Sequence, residues 1–430
     1  MKESFFMRTL MFGWEFPPYI SGGLGTACFG ITKGLTDIGA EVLFVLPRVS
    51  GEVGKKHFEL IPAPGFPFDE ARRPDITKRP PGKLDFRTVD VALRPYLNEV
   101  RYRTLLKTEG EGRHRWTGVL ETSGDYGENL LEEVFRYGYL AEHVARKETY
   151  DVIHAHDWMT VFAGVRASRA SGKPYIHHVH AVEFDRNGEN INRDIYDIER
   201  YGMESANHVI SVSHYTKRLI VERYGIDPGK VTVVHNGVSV PNGWVKQRDD
   251  KRRAKVVLFL GRITFQKGPD YFVEAAAKVL ERFPDTMFVM AGSGDMLPRM
   301  VERVAELGMG KSFHFTGFLR AGDVEKIYGM SDLFVMPSVS EPFGIAPLEA
   351  ACRDVPVIIS RQSGVSEVLD HALKVDYWDV QELAHKIIAA LLYPALTREM
   401  RERCREEVRS ISWSRTAEKI HAVYRRVCRR

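Results

Sequence analysis

The chain has 430 residues, 44% apolar and 27% charged, the balance of an ordinary globular protein with two or three domains that each bury a core. Its 61 basic and 57 acidic residues leave a formal charge of +4, too small and too dispersed to argue for nucleic-acid binding. Cys28, Cys352, Cys404 and Cys428 have no paired spacing, which excludes a zinc ribbon and a disulfide framework and fits a reducing cytoplasm. The apolar stretch of MKESFFMRTLMFGW is interrupted by Glu3 and Arg8, so neither export nor a membrane span is expected. The terminal run Arg425, Arg426, Arg429 and Arg430 reads as a solvated helix end, and leaves peripheral membrane contact open.

In chain order, RTLMFG predicts a strand over 8–13, WEFPPYISGG a loop, Leu24 to Ile38 a helix and EVLFVLP a second strand: a βαβ unit with a glycine-rich first turn. The dinucleotide fingerprint fails, because Cys28 stands at the third glycine position; Gly292 and Gly294 fail likewise at Leu297. Gly22 and Gly23 remain as side-chain-free residues at a helix start, where backbone N–H groups can approach a phosphate. Residues 50–125, broken by Pro62, Pro64, Pro67, Pro74, Pro80 and Pro81, predict irregular structure with short strands at TVDVAL and WTGVLE. A helix over Glu128 to Arg146 carries Leu131, Val134, Phe135 and Val144 on one stripe. The strand DVIHAH, a helix to about Ala170, the strand PYIHHVH running into AVEFDR, a helix at IYDIERYGMESA, HVISVS, a helix at HYTKRLIVERYG and KVTVVHNGV complete a first α/β domain over 1–240.

Residues 241–254 have no period and read as a linker. A second α/β domain over 255–410 repeats the alternation from KVVLFLG to a helix near Val380 to Leu392, and a last helix within 411–430 places Ala417, Ile420, Val423, Tyr424 and Val427 at helical spacing.

Within that second domain, DLFVMPS predicts a buried strand, Pro342 and Gly344 force a loop, and APLEAACR predicts a helix beginning near Ile345. This strand–loop–helix, EPFGIAPLEA, brackets one element between Glu341 and Glu349. A loop at the carboxyl end of a parallel strand is where ligands bind, and Glu349 is placed to accept from a diol. Two such glutamates alone are more often a helix-start acid and a solvated side chain. Arg262 and Lys267 in LGRITFQKG follow another strand and are framed by Gly261 and Gly268, so they can neutralise charge on a leaving diphosphate.

EPFGIAPLEA, with GR-x4-KG, the GGL loop at Gly22, HDW at Asp157, His180 and HNGV at Asn236, resembles the signature of the retaining nucleotide-sugar glycosyltransferases that include glycogen and starch synthases, the group 1 glycosyltransferases. The resemblance runs along nearly the whole chain and implies a GT-B fold: α/β, two Rossmann-like domains facing a central cleft, with the C-terminal helix crossing back to the first. It implies that Glu341 and the Phe343 and Gly344 backbone hold the donor sugar, Glu349 the ribose, and Arg262 and Lys267 the diphosphate. Gly22 and Gly23 would face the same phosphates, while His180 and Asp157 would lie near the sugars. His177 and His178 read as core residues, and Asp157 could also cap the next helix. Asn236 is carried over more weakly, since Asn-Gly is also a common turn. The chain departs from glycogen and starch synthases at Ile20, where they carry lysine, and at Ser363 and Gly364, where their phosphate loop reads TGG.

The expected activity is retaining transfer of a hexose, glucose first, from ADP- or UDP-sugar to an α-glucan or other sugar acceptor. A transferase making another glycoconjugate or a disaccharide, a phosphorylase or epimerase on the same fold, and a sugar-binding module are the alternatives. No Asp-x-Asp motif occurs and no acid lies near a His pair with ligand spacing in the sequence, so metal-independent chemistry without a cofactor is expected.

Overall fold

The computed structural model describes residues 7–16, 22–47, 59–62, 130–240 and 254–429. The strands expected at TVDVAL and WTGVLE, Ile20 and positions 241–253 of the expected linker lie outside the described residues.

The first half runs β1 (Arg8–Phe12), α1 (Gly23–Asp37), β2 (Glu41–Leu46), β3 (Glu59–Pro62), α2 (Leu130–Lys147), β4 (Val152–His156), α3 (Val161–Ser171) and β5 (Tyr175–Val179). It continues with α4 (Glu183–Asn187), α5 (Arg193–Ser205), β6 (His208–Ser211), α6 (His214–Tyr224) and β7 (Val231–Val233). The second half runs β8 (Lys255–Leu260), α7 (Pro269–Leu280), β9 (Thr286–Ala291), α8 (Leu297–Glu306), β10 (Phe313–Gly317), α9 (Ala321–Met330), β11 (Leu333–Met336) and α10 (Ile345–Cys352). β12 (Val357–Ser360), β13 (Leu373–Val375), α11 (Val380–Leu392), α12 (Pro394–Ser410) and α13 (Trp413–Cys428) close it.

Both sheets are wholly parallel, ordered β3-β2-β1-β4-β5-β6-β7 and β10-β9-β8-β11-β12-β13. Helices cover both faces, which is why the strands read as apolar runs rather than alternations: β4, β5, β11 and β12 are buried at every position. Strand order reverses between β1 and β4 in one sheet and between β8 and β11 in the other. In doubly wound sheets the crevice outside the carboxyl ends at such a reversal is the ligand site. Glu15 and Asp157 follow the first pair of strands; Arg262, Lys267 and Glu341 follow the second.

Three local expectations are corrected. Pro62 was expected to break structure, yet it ends β3 at the sheet edge, opposite Leu46, a position where proline is tolerated. AVEFDR does not prolong β5; the Asp185 carboxylate accepts the Val182 amide at 2.8 Å and turns 183–187 into a helix. α12 was not foreseen, because its buried stripe is only Thr397, Met400, Cys404 and Val408 in a charged sequence.

The last helix crosses back, as expected. Trp413, Ala417, Ile420, Val423 and Tyr424 bury against Met11, Cys28, Ile31 and Leu35 of the first half. The approach depends on two glycines of α1 where Trp413 lies: a Cβ on Gly30 would stand 2.1 Å from the Trp413 indole, and one on Gly34 2.4 Å from the Trp413 carbonyl oxygen. Each large side chain so buried contributes about 1.5–3 kcal/mol, so the crossing is a stable join.

Candidate active site

The second-half part of the site is built on the ends of β8 and β11. After β8 the chain passes Arg262, makes one 3-10 turn over Phe265–Lys267, and leaves it at Gly268 with φ 62°. A Cβ there would lie 2.2 Å from the Pro337 carbonyl oxygen, so only glycine lets this turn press against the segment leaving β11. The consequence is an ion pair between Lys267 and Glu341, whose side chains are 18% and 7% exposed. Ser338 also reaches the Glu341 carboxylate, donating at 3.4 Å. Arg262 is exposed and has no ion-pair partner among the described residues. The two cations expected together on the diphosphate therefore stand differently: one already neutralised, one free to meet an anion.

The Glu341 loop is laced to the loop after β12. The Glu341 amide donates to Gln362 (3.0 Å), the Gly364 amide to Glu341 (2.9 Å) and the Val365 amide to Phe343 (2.6 Å). Ser363 is buried, with its hydroxyl on the Ser360 carbonyl at 2.7 Å. Ser363 and Gly364 thus brace the loop that carries Glu341, and the Gly364 amide is already engaged. Phe343 is buried beside the His235 ring, and Gly344, at φ 97°, precedes α10. Glu349, one turn into α10, is partly buried, accepts the Tyr328 hydroxyl at 3.2 Å, and has its pKa raised by burial.

Opposite, the first-half residues are more buried than the sequence implied. Asp157 adopts φ 57° and, although it precedes a 3-10 turn, its side chain does not cap it. That expectation is corrected: its carboxylate accepts instead from the amides of His180 (2.6 Å) and Ala181 (3.3 Å), tying β4 to the exit of β5. Burial pushes its pKa up to about 7, against those two amides and Arg186. His180 is 9% exposed, shares a hydrogen bond at 2.9 Å with His156, and is held neutral, its pKa lowered to about 3 by burial. His154, His156, His178 and His180 form one stacked group that reaches Tyr424 of α13, and His177 pairs with Tyr175. His177 and His178 are core residues, as expected.

Gly22 lies at the start of α1, where the Glu15 carboxylate would be 2.7 Å from a Cβ, and Gly23 is open within 4 Å. Asn236 is buried, and its side-chain oxygen has no hydrogen-bond partner among the described residues. Among the described residues, two groups of side chains have the composition of metal ligands: His154, His156 and His178 in the core, and His214, His235 and Glu367 at the surface. The second corrects the reading that no acid lies near a His pair, since residues 132 positions apart meet there. Among the described residues no helix is long and apolar enough to cross a membrane.

Residues 244–410 match the family of glycosyl transferases group 1, and residues 114–240 match Glycosyltransferase Family 4. The α-maltose-1-phosphate synthase of Mycolicibacterium smegmatis is 30% identical over 321 residues, 66% of this chain and 81% of that protein. The chain is a group 1 glycosyltransferase. Sucrose-phosphate synthase from Thermosynechococcus elongatus superposes with a TM-score of 0.72 at 18% identity, over 98% of this chain and 99% of that one. HepE of Anabaena in complex with UDP-glucose gives 0.66 at 17% identity, over 97% and 99%. These likenesses show the GT-B fold.

In this group 1 glycosyltransferase the halves also touch through residues that the sequence did not single out. Ser340, next to Glu341, donates to Asp185 at 2.5 Å and shares a hydrogen bond with Tyr215 at 2.8 Å. Ser213 donates to the Pro342 carbonyl at 2.6 Å. Glu367 accepts the amides of His214 (2.9 Å) and Tyr215 (2.8 Å), closing the start of α6 from the other half. Asp185 is pushed up to about 6 by burial, with Glu341 adding repulsion. No motif marks Asp185 or Ser340; their only signal is adjacency to the recognised strand ends.

Proposed function

We propose that this glycosyltransferase moves a hexose, glucose first, from a UDP- or ADP-sugar to a sugar hydroxyl with retention of anomeric configuration. The observation that carries the reading is the pairing of Lys267 with Glu341 at the strand-order reversal of the second sheet, in the segment after β8 that also carries the exposed Arg262, with Asp185 of the first half bonded to Ser340 beside Glu341. The likeness to HepE bound to UDP-glucose supports a nucleoside diphosphate donor.

In this reading the exposed Arg262 meets the diphosphate, and Lys267, oriented by Glu341, does so once the donor is bound. Negative charge grows on the leaving diphosphate as the glycosidic bond breaks, so these cations act most strongly in the transition state. Glu341 and the backbone at Phe343 and Gly344 hold the hexose, Glu349 the ribose, and Gly22 and Gly23 admit the phosphates to the start of α1. Neutral His180 can share hydrogen bonds with sugar hydroxyls without repelling the developing oxocarbenium charge. For retention, the departing phosphate oxygen takes the acceptor proton on the face it leaves. No metal or cofactor is assigned to the reaction.

An α-glucan is the first acceptor; a phosphorylated sugar is the second, on the likeness to proteins named α-maltose-1-phosphate synthase and sucrose-phosphate synthase. The test is a panel of UDP- and ADP-sugars against malto-oligosaccharides, hexoses and hexose phosphates, with product anomers read by NMR. Retained-anomer product from one donor supports the reading; no donor consumption, or inversion, overturns it.

A further inference from the structure

We propose that His214, His235 and Glu367 form a binding site for a transition-metal divalent cation, Zn2+ or its neighbours, that ties the two halves of the protein together. Their donor atoms all lie within 4.8 Å of one another. His214 begins α6 and His235 follows β7, both in the first half, while Glu367 lies in the turn after β12 in the second. Two imidazoles and a carboxylate are a donor set that suits Zn2+, with a fourth position left for water.

The carboxylate is already aimed. One Glu367 oxygen accepts the Tyr215 amide, and the other accepts the His214 amide and pairs with His235 Nε2 at 2.8 Å. Backbone donors of this kind are what usually orient a metal's carboxylate ligand. The two imidazole planes are inclined at 59°, with ring centres 5.9 Å apart, so their in-plane lone pairs can converge. Donors around four-coordinate Zn2+ stand about 3.3–3.5 Å apart, so closing the site needs rotation of the exposed His214 side chain and a small separation of His235 Nε2 from Glu367, which stand 2.8 Å apart. His235 gives up its Nε2–H hydrogen bond to Glu367 on binding: the ring takes the tautomer with its proton on Nδ1, and the freed Nε2 lone pair meets the cation.

The core histidines make the contrast. His154 and His178 stack at 13° and His178 and His180 at 25°, so their lone pairs run side by side rather than toward one point. His154, His178, His156 and His180 are moreover engaged with one another and with Tyr424. That group braces α13; the surface group can close on an ion.

A cation here would cross-link residues one turn from the Glu341 loop to α6 and β7, restraining movement of one half against the other. It stabilises whichever arrangement brings the three ligands together.

The experiment uses the tag-free full chain. Titration with Co2+ is followed by the visible d–d absorption of a low-coordinate complex, and melting temperature is measured with and without Zn2+. The expected result is one Co2+ per chain, and a rise of about 3 °C or more with saturating Zn2+. His214→Ala, an exposed change that spares the fold, weakens Co2+ binding about tenfold or more and abolishes the Zn2+ shift. Glu367→Gln and His235→Gln, confirmed folded by circular dichroism, do the same. No Co2+ band in the wild type, or equal affinity in wild type and His214→Ala, overturns the site. Neither result touches the transferase reading, which is tested by turnover.

Discussion

The ammonium of Lys267 is paired with the carboxylate of Glu341 across 74 positions of sequence, so two residues expected to touch different parts of the donor hold each other in place first. Both are largely buried, and removing one leaves the other charged and poorly solvated. Lys267→Met should therefore destabilise the second half by about 3 kcal/mol, with Glu341→Gln similar. The double variant should lose clearly less than the two singles combined, because it leaves no orphaned charge. Urea unfolding of the four proteins measures the coupling; additive losses would mean that the pair is incidental.

Glu349 poses a different case, since its carboxylate accepts the Tyr328 hydroxyl and forms no close ion pair like that of Lys267 with Glu341 among the described residues. If its carboxylate receives the ribose diol, Glu349→Ala should weaken nucleoside diphosphate binding by roughly 1.5–3 kcal/mol, the worth of a hydrogen bond to a charged group. Tyr328→Phe leaves the carboxylate in place and should change affinity less than about threefold. Calorimetry with UDP and ADP separates the two variants and reports the base at the same time.

Much of the architecture was legible because parallel strands buried on both faces write apolar runs, and the helices between them begin and end at polar or glycine signals. Ile345 was read as the start of α10 and Val380 to Leu392 as a helix, and both stand so. α12 escaped because its buried stripe is narrow and includes Thr397, leaving little periodic signal in a run of arginine and glutamate. At the candidate site, a local pattern singles out Arg262, Lys267 and Glu341, which lie next to strand ends flanked by glycine or proline. The contacts of Asp185 with Ser340 and of Glu367 with His235 span 155 and 132 positions, and no local pattern encodes them. The same holds for Asp157, whose carboxylate ties two strands instead of capping the turn that follows it.

Asp157 also sets a pH dependence. Burial raises its folded pKa from 3.8 to about 7, so the folded chain binds this proton more tightly than the unfolded chain does. The contribution to stability is full below pH about 4 and is lost as pH rises toward 7. Asp157→Asn keeps the oxygen that accepts from His180 and Ala181, and asparagine tolerates a positive φ. The variant should gain on the wild type as pH rises from 4 to 7, reaching up to about 4 kcal/mol at pH 8. Denaturation curves at pH 5, 6, 7 and 8 test the trend; a constant difference would place the carboxylate in an environment that does not penalise its charge.

If the charge of the diphosphate is met by Arg262 and Lys267, as proposed, turnover should persist in excess chelator. The ligand set at His214, His235 and Glu367 would restrain the halves without entering the reaction, so stripping it should leave product formation intact. A rate lost in chelator and restored by Mg2+ or Mn2+ would assign the diphosphate to a metal instead.

Arg262 gives the sharpest test of the chemistry, because unlike Lys267 it stands exposed and without an ion-pair partner among the described residues, so its removal disturbs no buried charge. Arg262→Ala should leave the melting temperature nearly unchanged. It should lower turnover by about a hundredfold, on the order of 3 kcal/mol, since the charge it meets grows as the sugar–phosphate bond breaks. Affinity for the intact donor should fall much less, because a contact that strengthens toward the transition state appears in the rate rather than in binding. Arg262→Lys should recover only part of the rate: a lysine supplies the charge but not the planar fork that grips two phosphate oxygens at once. Steady-state kinetics with the best donor, beside calorimetry with the free nucleoside diphosphate, resolve the two effects. Equal losses in donor affinity and in kcat/KM, with kcat unchanged, would make Arg262 a binding residue only and leave the departing diphosphate to Lys267.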